Sequence, residues 1–217
     1  MFIGHYGVGL ASKRVDPELP LWILLAAPQV LDLLWPLFVL AGIERVEVAP
    51  GETAFTPLRF VSYPWSHSLV MAVVWGLVVG AIWFARRKSL RAAIVLAALV
   101  VSHWLLDFIS HRPDLPLWPG ASPLFGLGLW ASRPATLLVE VPMFAVGVAL
   151  YARTTRPRDR TGTWSWVGLV AFLSIVYLGN SFGPPPPSAQ AVAGSALALW
   201  LLPLWGYWIE RHRVPPG

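Results

Sequence analysis

Five histidines and a few acids stand in a chain that is otherwise apolar, and their spacing suits a metal site. The run Ser-His103-Trp-Leu-Leu-Asp107-Phe-Ile-Ser-His111-Arg-Pro-Asp carries three of them four residues apart. Residues four apart share one face of a helix. His103 and Asp107 therefore project together, and His111 joins them if the helix continues to just before Pro113. Imidazole with carboxylate at this spacing chelates a divalent ion, zinc suiting both ligand types and harder ions suiting the carboxylate. The plainer reading is an interfacial helix end with ordinary polar residues. Against it, ionisable groups inside apolar spans are rare and usually face a cavity or a partner. The chain has no cysteine, so any metal must be held by nitrogen and oxygen.

Other residues fall into the same pattern. His67, in Tyr-Pro-Trp-Ser-His67-Ser-Leu, opens an apolar stretch; alone it could equally cap a helix. Glu140 lies about a turn and a half inside another stretch, just before Pro142, as a ligand, a general base or a partner of Arg133. Asp32 lies between Pro28 and Pro36, where a span can break and line a cavity. Arg112, Arg133 and Asp114 flank the group, and arginine beside a metal often clamps an anionic substrate. His212 lies in a basic tail with no special expectation.

The elements that position these residues are set by composition. Of 217 residues 56% are hydrophobic and 12% charged, about half the charge usual in soluble domains. A span needs roughly 20 apolar residues. Six segments qualify, at about 19–42, 66–85, 90–109, 134–152, 164–182 and 189–209. The expected fold is all-α: one polytopic membrane domain over 1–217, with a metal-site core in 1–152 and two further transmembrane helices in 153–217. The opening stretch lacks the basic start and cleavage site of a secretory signal and reads as mature protein.

Net charge is +5, but the basic residues cluster in short loops, so nucleic acid is not the expected partner; the lipid bilayer is. The clusters at 86–91, 153–160 and 211–213 share one side under six crossings, and the positive-inside rule makes that side cytoplasmic. His67, His103, Asp107, His111 and Glu140 then share the outer half. Asp32 lies deeper. His5 falls on the wrong side, unless the N-terminal stretch re-enters the membrane or the first span is not a full crossing; otherwise His5 stands outside the site. Trp65, Trp104, Trp118, Trp130, Trp164 and Trp208 lie near span ends, as an aromatic belt would. The segment 43–65 alternates early and suits a hairpin or flap, and 180–188 reads as a stiff polyproline turn.

The motifs Ser66-His67-Ser68 and Ser102-His103…Asp107, with Pro-Leu-Trp-Pro-Gly downstream and a histidine near the N-terminus, resemble the YdjM-like family of bacterial inner-membrane metal-dependent hydrolases, which has a LexA-regulated member. The resemblance covers roughly 1–140. The ligand order is also similar to that of the zinc-dependent phospholipase C and single-strand nuclease superfamily. That likeness implies a metal-binding helical core in which His5, Asp32, His67, His103, Asp107, His111 and Glu140 are the metal ligands. The superfamily's second histidine before the last acid is missing, since that position is Thr136. One or two zinc ions are therefore implied rather than three.

The leading expectation is an inner-membrane, metal-dependent hydrolase acting on a phosphoester or lipid-like substrate near the outer face. Glu140 or Asp32 would take the proton, and Arg112 and Arg133 would hold substrate. The alternative is a proton- or ion-coupled transporter using the same His, Asp and Glu residues. A scaffold with a structural metal is the third.

Overall fold

The computed structural model describes residues 1–214. Its helices are α1 (Ile3–Ala11), α2 (Leu21–Ala26), α3 (Val30–Leu40), α4 (Pro64–His67), α5 (Leu69–Arg87), α6 (Leu90–Ser110), α7 (Arg133–Thr154), α8 (Arg160–Phe182), α9 (Ala189–Ala196) and α10 (Leu201–Glu210). Two-stranded antiparallel ribbons pair β1 (Arg45–Val48) with β2 (Leu58–Ser62), β3 (Leu115–Pro116) with β4 (Leu124–Phe125), and β5 (Arg156–Pro157) with β6 (Arg213–Val214). The expected hairpin in 43–65 is the first of these. Six segments are long and apolar enough to cross a membrane: Leu21–Leu40, Leu69–Arg87, Leu90–Ser110, Arg133–Thr154, Arg160–Phe182 and Ala189–Glu210.

Side-chain caps explain half of the helix starts. Ser68, Ser89, Ser132, Asp159 and Ser188 each accept the backbone N–H three residues on, satisfying a donor that the first turn leaves free. α5 ends at Lys88 in the left-handed region (φ 55°), and the chain turns straight into α6. Gly76 and Gly80 face the backbone of Ala97 and Ala93 so closely that a Cβ would sit 2.9 Å from each carbonyl oxygen. Small residues at this spacing let membrane helices meet backbone to backbone.

The first crossing is built from α2, a 3-10 turn at Ala27–Gln29 and α3, so it breaks at Pro28 as expected. α1 precedes it as a half-length rod buried in the bundle. Gly147 makes that burial possible: a Cβ there would lie 2.2 Å from the Gly7 carbonyl oxygen, so α1 and α7 touch through their backbones. The far end of α1 is fastened near the basic clusters, where buried Lys13 donates to the Leu19 carbonyl (2.8 Å) and to Glu210 (3.1 Å). One apolar cluster runs from Ile3 through Phe144 and Leu173 to Ile209, and a second joins α2, α3, α5 and α6 around Leu96.

Three expectations need correction. His67 does not open the second span; it ends the separate turn α4, because Ser68 is extended (φ −79°, ψ 152°) and caps α5. The proline turn is shorter than expected, since α8 continues to Phe182. Trp104 and Trp130 are buried rather than in a belt: Trp104 donates to the Pro116 carbonyl, and the Trp130 ring lies 4.2 Å from that of His111. Trp65, Trp118, Trp164 and Trp208 remain exposed.

Candidate metal centre

Asp107 is the hub. It is 2% exposed and sits three residues before the end of α6. Its Oδ1 lies 3.1 Å from His5 Nε2 and contacts the backbone nitrogen of Met1. Its Oδ2 faces His103 Nε2 (3.1 Å), His67 Nε2 (3.8 Å) and His111 Nε2 (3.8 Å). Asp32 Oδ1 closes the group at 3.4 Å from His67 Nε2 and 3.8 Å from His103 Nε2. His5 stacks on His103 with ring centroids 3.7 Å apart. Two triads, His5–His103–Asp107 and Asp32–His67–His103, each bring one ligand atom per residue within 4.8 Å of the others.

Both positional difficulties of the sequence reading resolve here. Asp32 is not too deep: it precedes the end of α3 by eight residues, and His103 precedes the end of α6 by seven. At 1.5 Å per residue the two lie at nearly one level. His5 arrives because α1 is a half-span inside the bundle, with its N-terminal end at the cluster. His111 stands just past α6, in extended backbone (ψ 150°). It stays close because its N–H still donates to the Asp107 carbonyl at 2.7 Å. The polar groups gather at one level instead of forming a path through the bundle.

The outer hydrogen bonds fix what the histidines can do. His103 Nδ1 lies 2.7 Å from the Pro28 carbonyl oxygen. A carbonyl only accepts, so Nδ1 carries a proton, and Nε2 is the nitrogen turned toward Asp32 and Asp107. His67 Nδ1 lies 2.7 Å from Ser66 Oγ, which donates to Glu44 at 2.6 Å. The serine proton is used on Glu44, so His67 too carries a proton at Nδ1, with Nε2 toward Asp32 and Asp107. His111 Nδ1 donates to Asp114 at 2.9 Å, and Tyr63 donates to the same carboxylate oxygen at 2.8 Å. Three Nε2 atoms thus face carboxylate oxygens, and that of His103 is buried with no hydrogen-bond partner. The donor set fits a divalent metal, with carboxylate and carbonyl partners orienting the ligating imidazoles.

Glu44, Ser66 and Tyr63 carry part of this function without having been picked out by their chemistry. Glu44 is 3% exposed and also accepts the N–H groups of Trp65 and Ser66, each at 2.8 Å. Burial pushes its carboxyl up from the usual value, opposed by the Ser66 hydrogen bond. Burial, reinforced by Asp114, holds the Tyr63 hydroxyl well above its ordinary range, so it stays a donor. The two serines of Ser66-His67-Ser68 divide the work, one orienting His67 and the other capping α5. Sequence separation hides Glu44: it lies 22 residues from Ser66.

The remaining candidates lie around this group. Glu140 is fully buried, and its Oε2 accepts the N–H groups of Phe2 (2.8 Å) and Gly4 (3.2 Å). It anchors the N-terminal end of α1 and so holds His5 in place. Arg112 is tied to Glu52 and to Asp114. Arg133 lines a cavity of about 690 Å³ that also borders Asp32, His67, Asp107 and His111. His212 pairs with Asp159 at 2.8 Å, far from the cluster in the fold.

The family model described as YdjM inner membrane protein matches residues 55–182, more than half of the chain. The chain belongs to the YdjM inner membrane protein family. With six apolar crossings, this member is a multi-pass membrane protein. The matched stretch contains His67, His103, Asp107, His111 and Glu140, while His5 and Asp32 lie ahead of it. No curated protein and no solved structure matches, so the phospholipase C likeness rests on ligand order alone.

Proposed function

We propose that this YdjM-family chain is a membrane-embedded, metal-dependent hydrolase of phosphoesters, holding one or two zinc ions. The observation that carries this is the convergence of His67, His103 and His111, each held at Nδ1 by an outer partner, with their Nε2 atoms toward Asp32 and Asp107. His5 completes the set from the other side of Asp107. When bound, a divalent ion at this position supplies Lewis acidity and makes a water reactive near neutral pH.

The residues of the chain supply the rest. Asp32 has a side chain 24% exposed and borders the cavity, so it takes the proton of the attacking water. The water oxygen bonds to phosphorus, the ester P–O bond breaks, and the departing alkoxide takes up the proton that Asp32 accepted. Arg133 binds the substrate's anionic oxygens. Arg112, already paired with two carboxylates, orients Asp114 instead. Glu140 positions α1. The basic clusters at the opposite end of the bundle support a site that faces the outer side of the inner membrane.

The test is elemental analysis of purified protein beside His103→Ala and Asp107→Ala, with phosphoester hydrolysis followed in parallel. Stoichiometric zinc in the parent and at least tenfold less in both variants, with helicity retained, is expected. Unchanged metal content in the variants would end the proposal.

A further inference from the structure

The cavity at the cluster continues away from it between two membrane-spanning segments. α8 packs on α10 near the basic end, whereas α9 leans on α3. The fifth and sixth spans therefore diverge toward the other end, where residues 183–188 bridge them. Phe172, Val176 and Gly179 line one wall of the opening, and Ser195, Leu199 and Leu202 line the other. A Cβ at Gly179 would meet nothing within 4 Å. Arg133 is the only lysine or arginine on the cavity wall among the described residues.

We propose that the substrate is a membrane amphiphile, a phosphate ester on one long apolar chain, which slides in from the bilayer between α8 and α9. The head lies between Arg133 and the Asp32–Asp107 cluster, and the chain lies along Phe172, Val176, Leu199 and Leu202. The head chemistry rests on the hydrolase reading above; the tail slot rests on the cleft itself. Three observations select this occupant. The slot joins an apolar surface to a site for oxyanions. Its far part is lined by the flanks of two membrane spans, where lipid chains are the surrounding solvent. Its volume suits one ligand of moderate size, for which pockets run to roughly 300–1,000 Å³. A single arginine and apolar walls do not suit a polyanion, which would need a series of phosphate contacts.

The test uses the full chain, zinc-loaded, in detergent, with hexadecyl phosphate carrying a diazirine near its chain end. Cross-links are expected on α8 around Phe172 and Val176 and on the sixth span around Leu199 and Leu202. Gly179→Trp and Ser195→Trp, which fill opposite walls, should each cut this labelling at least tenfold while zinc content stays the same. An uncharged hexadecanol analogue should label these positions far less, and Arg133→Gln should erase that preference. Labelling spread evenly over lipid-facing helices such as α5, or undiminished in both Trp variants, would overturn the slot. Equal labelling by the alcohol would overturn the phosphate head. If the parent hydrolyses no phosphoester at all, the hydrolase reading fails by itself, and the cross-links still decide the slot.

Discussion

The carbonyl of Pro28 accepts a hydrogen bond from Nδ1 of His103 at 2.7 Å. The break in the first span is thereby joined to a ligand on the third, and the ring is held with its other nitrogen free. His103→Asn should separate the two roles, because its amide keeps a donor for Pro28 while Nε2 is lost. The expected outcome is metal content reduced as far as in His103→Ala, with a higher melting temperature. The difference reflects an orphaned buried acceptor, about 1–3 kcal/mol. Equal melting temperatures would show that the Pro28 contact contributes nothing.

Ser66 links Glu44 to His67. Ser66→Ala should weaken zinc binding by roughly 10- to 100-fold, the usual effect of losing an outer-shell partner. Ser66→Thr retains the hydroxyl and should retain most of the affinity. Competition against a zinc chelator reads this directly; identical affinities for Ala and parent would remove Ser66 from the site.

Glu140 distinguishes anchoring from proton transfer. Glu140→Gln still offers an oxygen to Phe2 and Gly4, so hydrolysis should persist. Glu140→Ala should lower both stability and zinc content, and Asp32→Asn, which keeps an amide oxygen toward the cluster, should abolish turnover while losing less zinc than Asp107→Ala. Turnover lost in Glu140→Gln, with normal zinc content, would instead make Glu140 the base.

The backbone contact of α1 with α7 leaves no room for a side chain. Gly147→Val should destabilise the protein by about 1–3 kcal/mol or more, as overpacking does, and should lower zinc content by displacing His5. Gly179→Ala, facing open space, is the tolerated control in the same thermal melts.

Asp159 shows a pH effect away from the site. The hydrogen bond from His212 holds its carboxyl below the usual range, helped by the capping N–H of Gly162. A depressed folded value means the unfolded chain takes up the proton first, so this stabilisation is present above the usual carboxylate range and fades as pH falls through the folded value. Asp159→Ala should therefore melt lower than parent at pH 7, with the gap narrowing in acid. A gap independent of pH would refute the assignment.

How much of this could be read from the sequence depends on the range of each interaction. The six crossings follow from local hydropathy, and the His103–Asp107–His111 face follows from helix periodicity. The residue type of His67 marks it as a candidate, but its setting is not local, because the cap at Ser68 separates it from α5. Counting whole crossings has no place for a half-span and so sets His5 on the wrong side; the Gly7–Gly147 contact shows where α1 fits. Glu44 was invisible, since nothing local distinguishes a buried loop acid from an exposed one. Arg112 has the right type for an anion clamp, but its carboxylate partners come from folding of the 49–57 flap and of the turn after α6.

The seat of α1 also sets an order of assembly. Its anchors are Glu140 and Gly147 on the fourth crossing and Glu210 at the end of the sixth. During synthesis the half-span emerges before every surface that holds it. His5 is therefore the earliest side chain of the cluster made and the last one delivered, so a partly inserted chain has most of the cluster but not the whole of it.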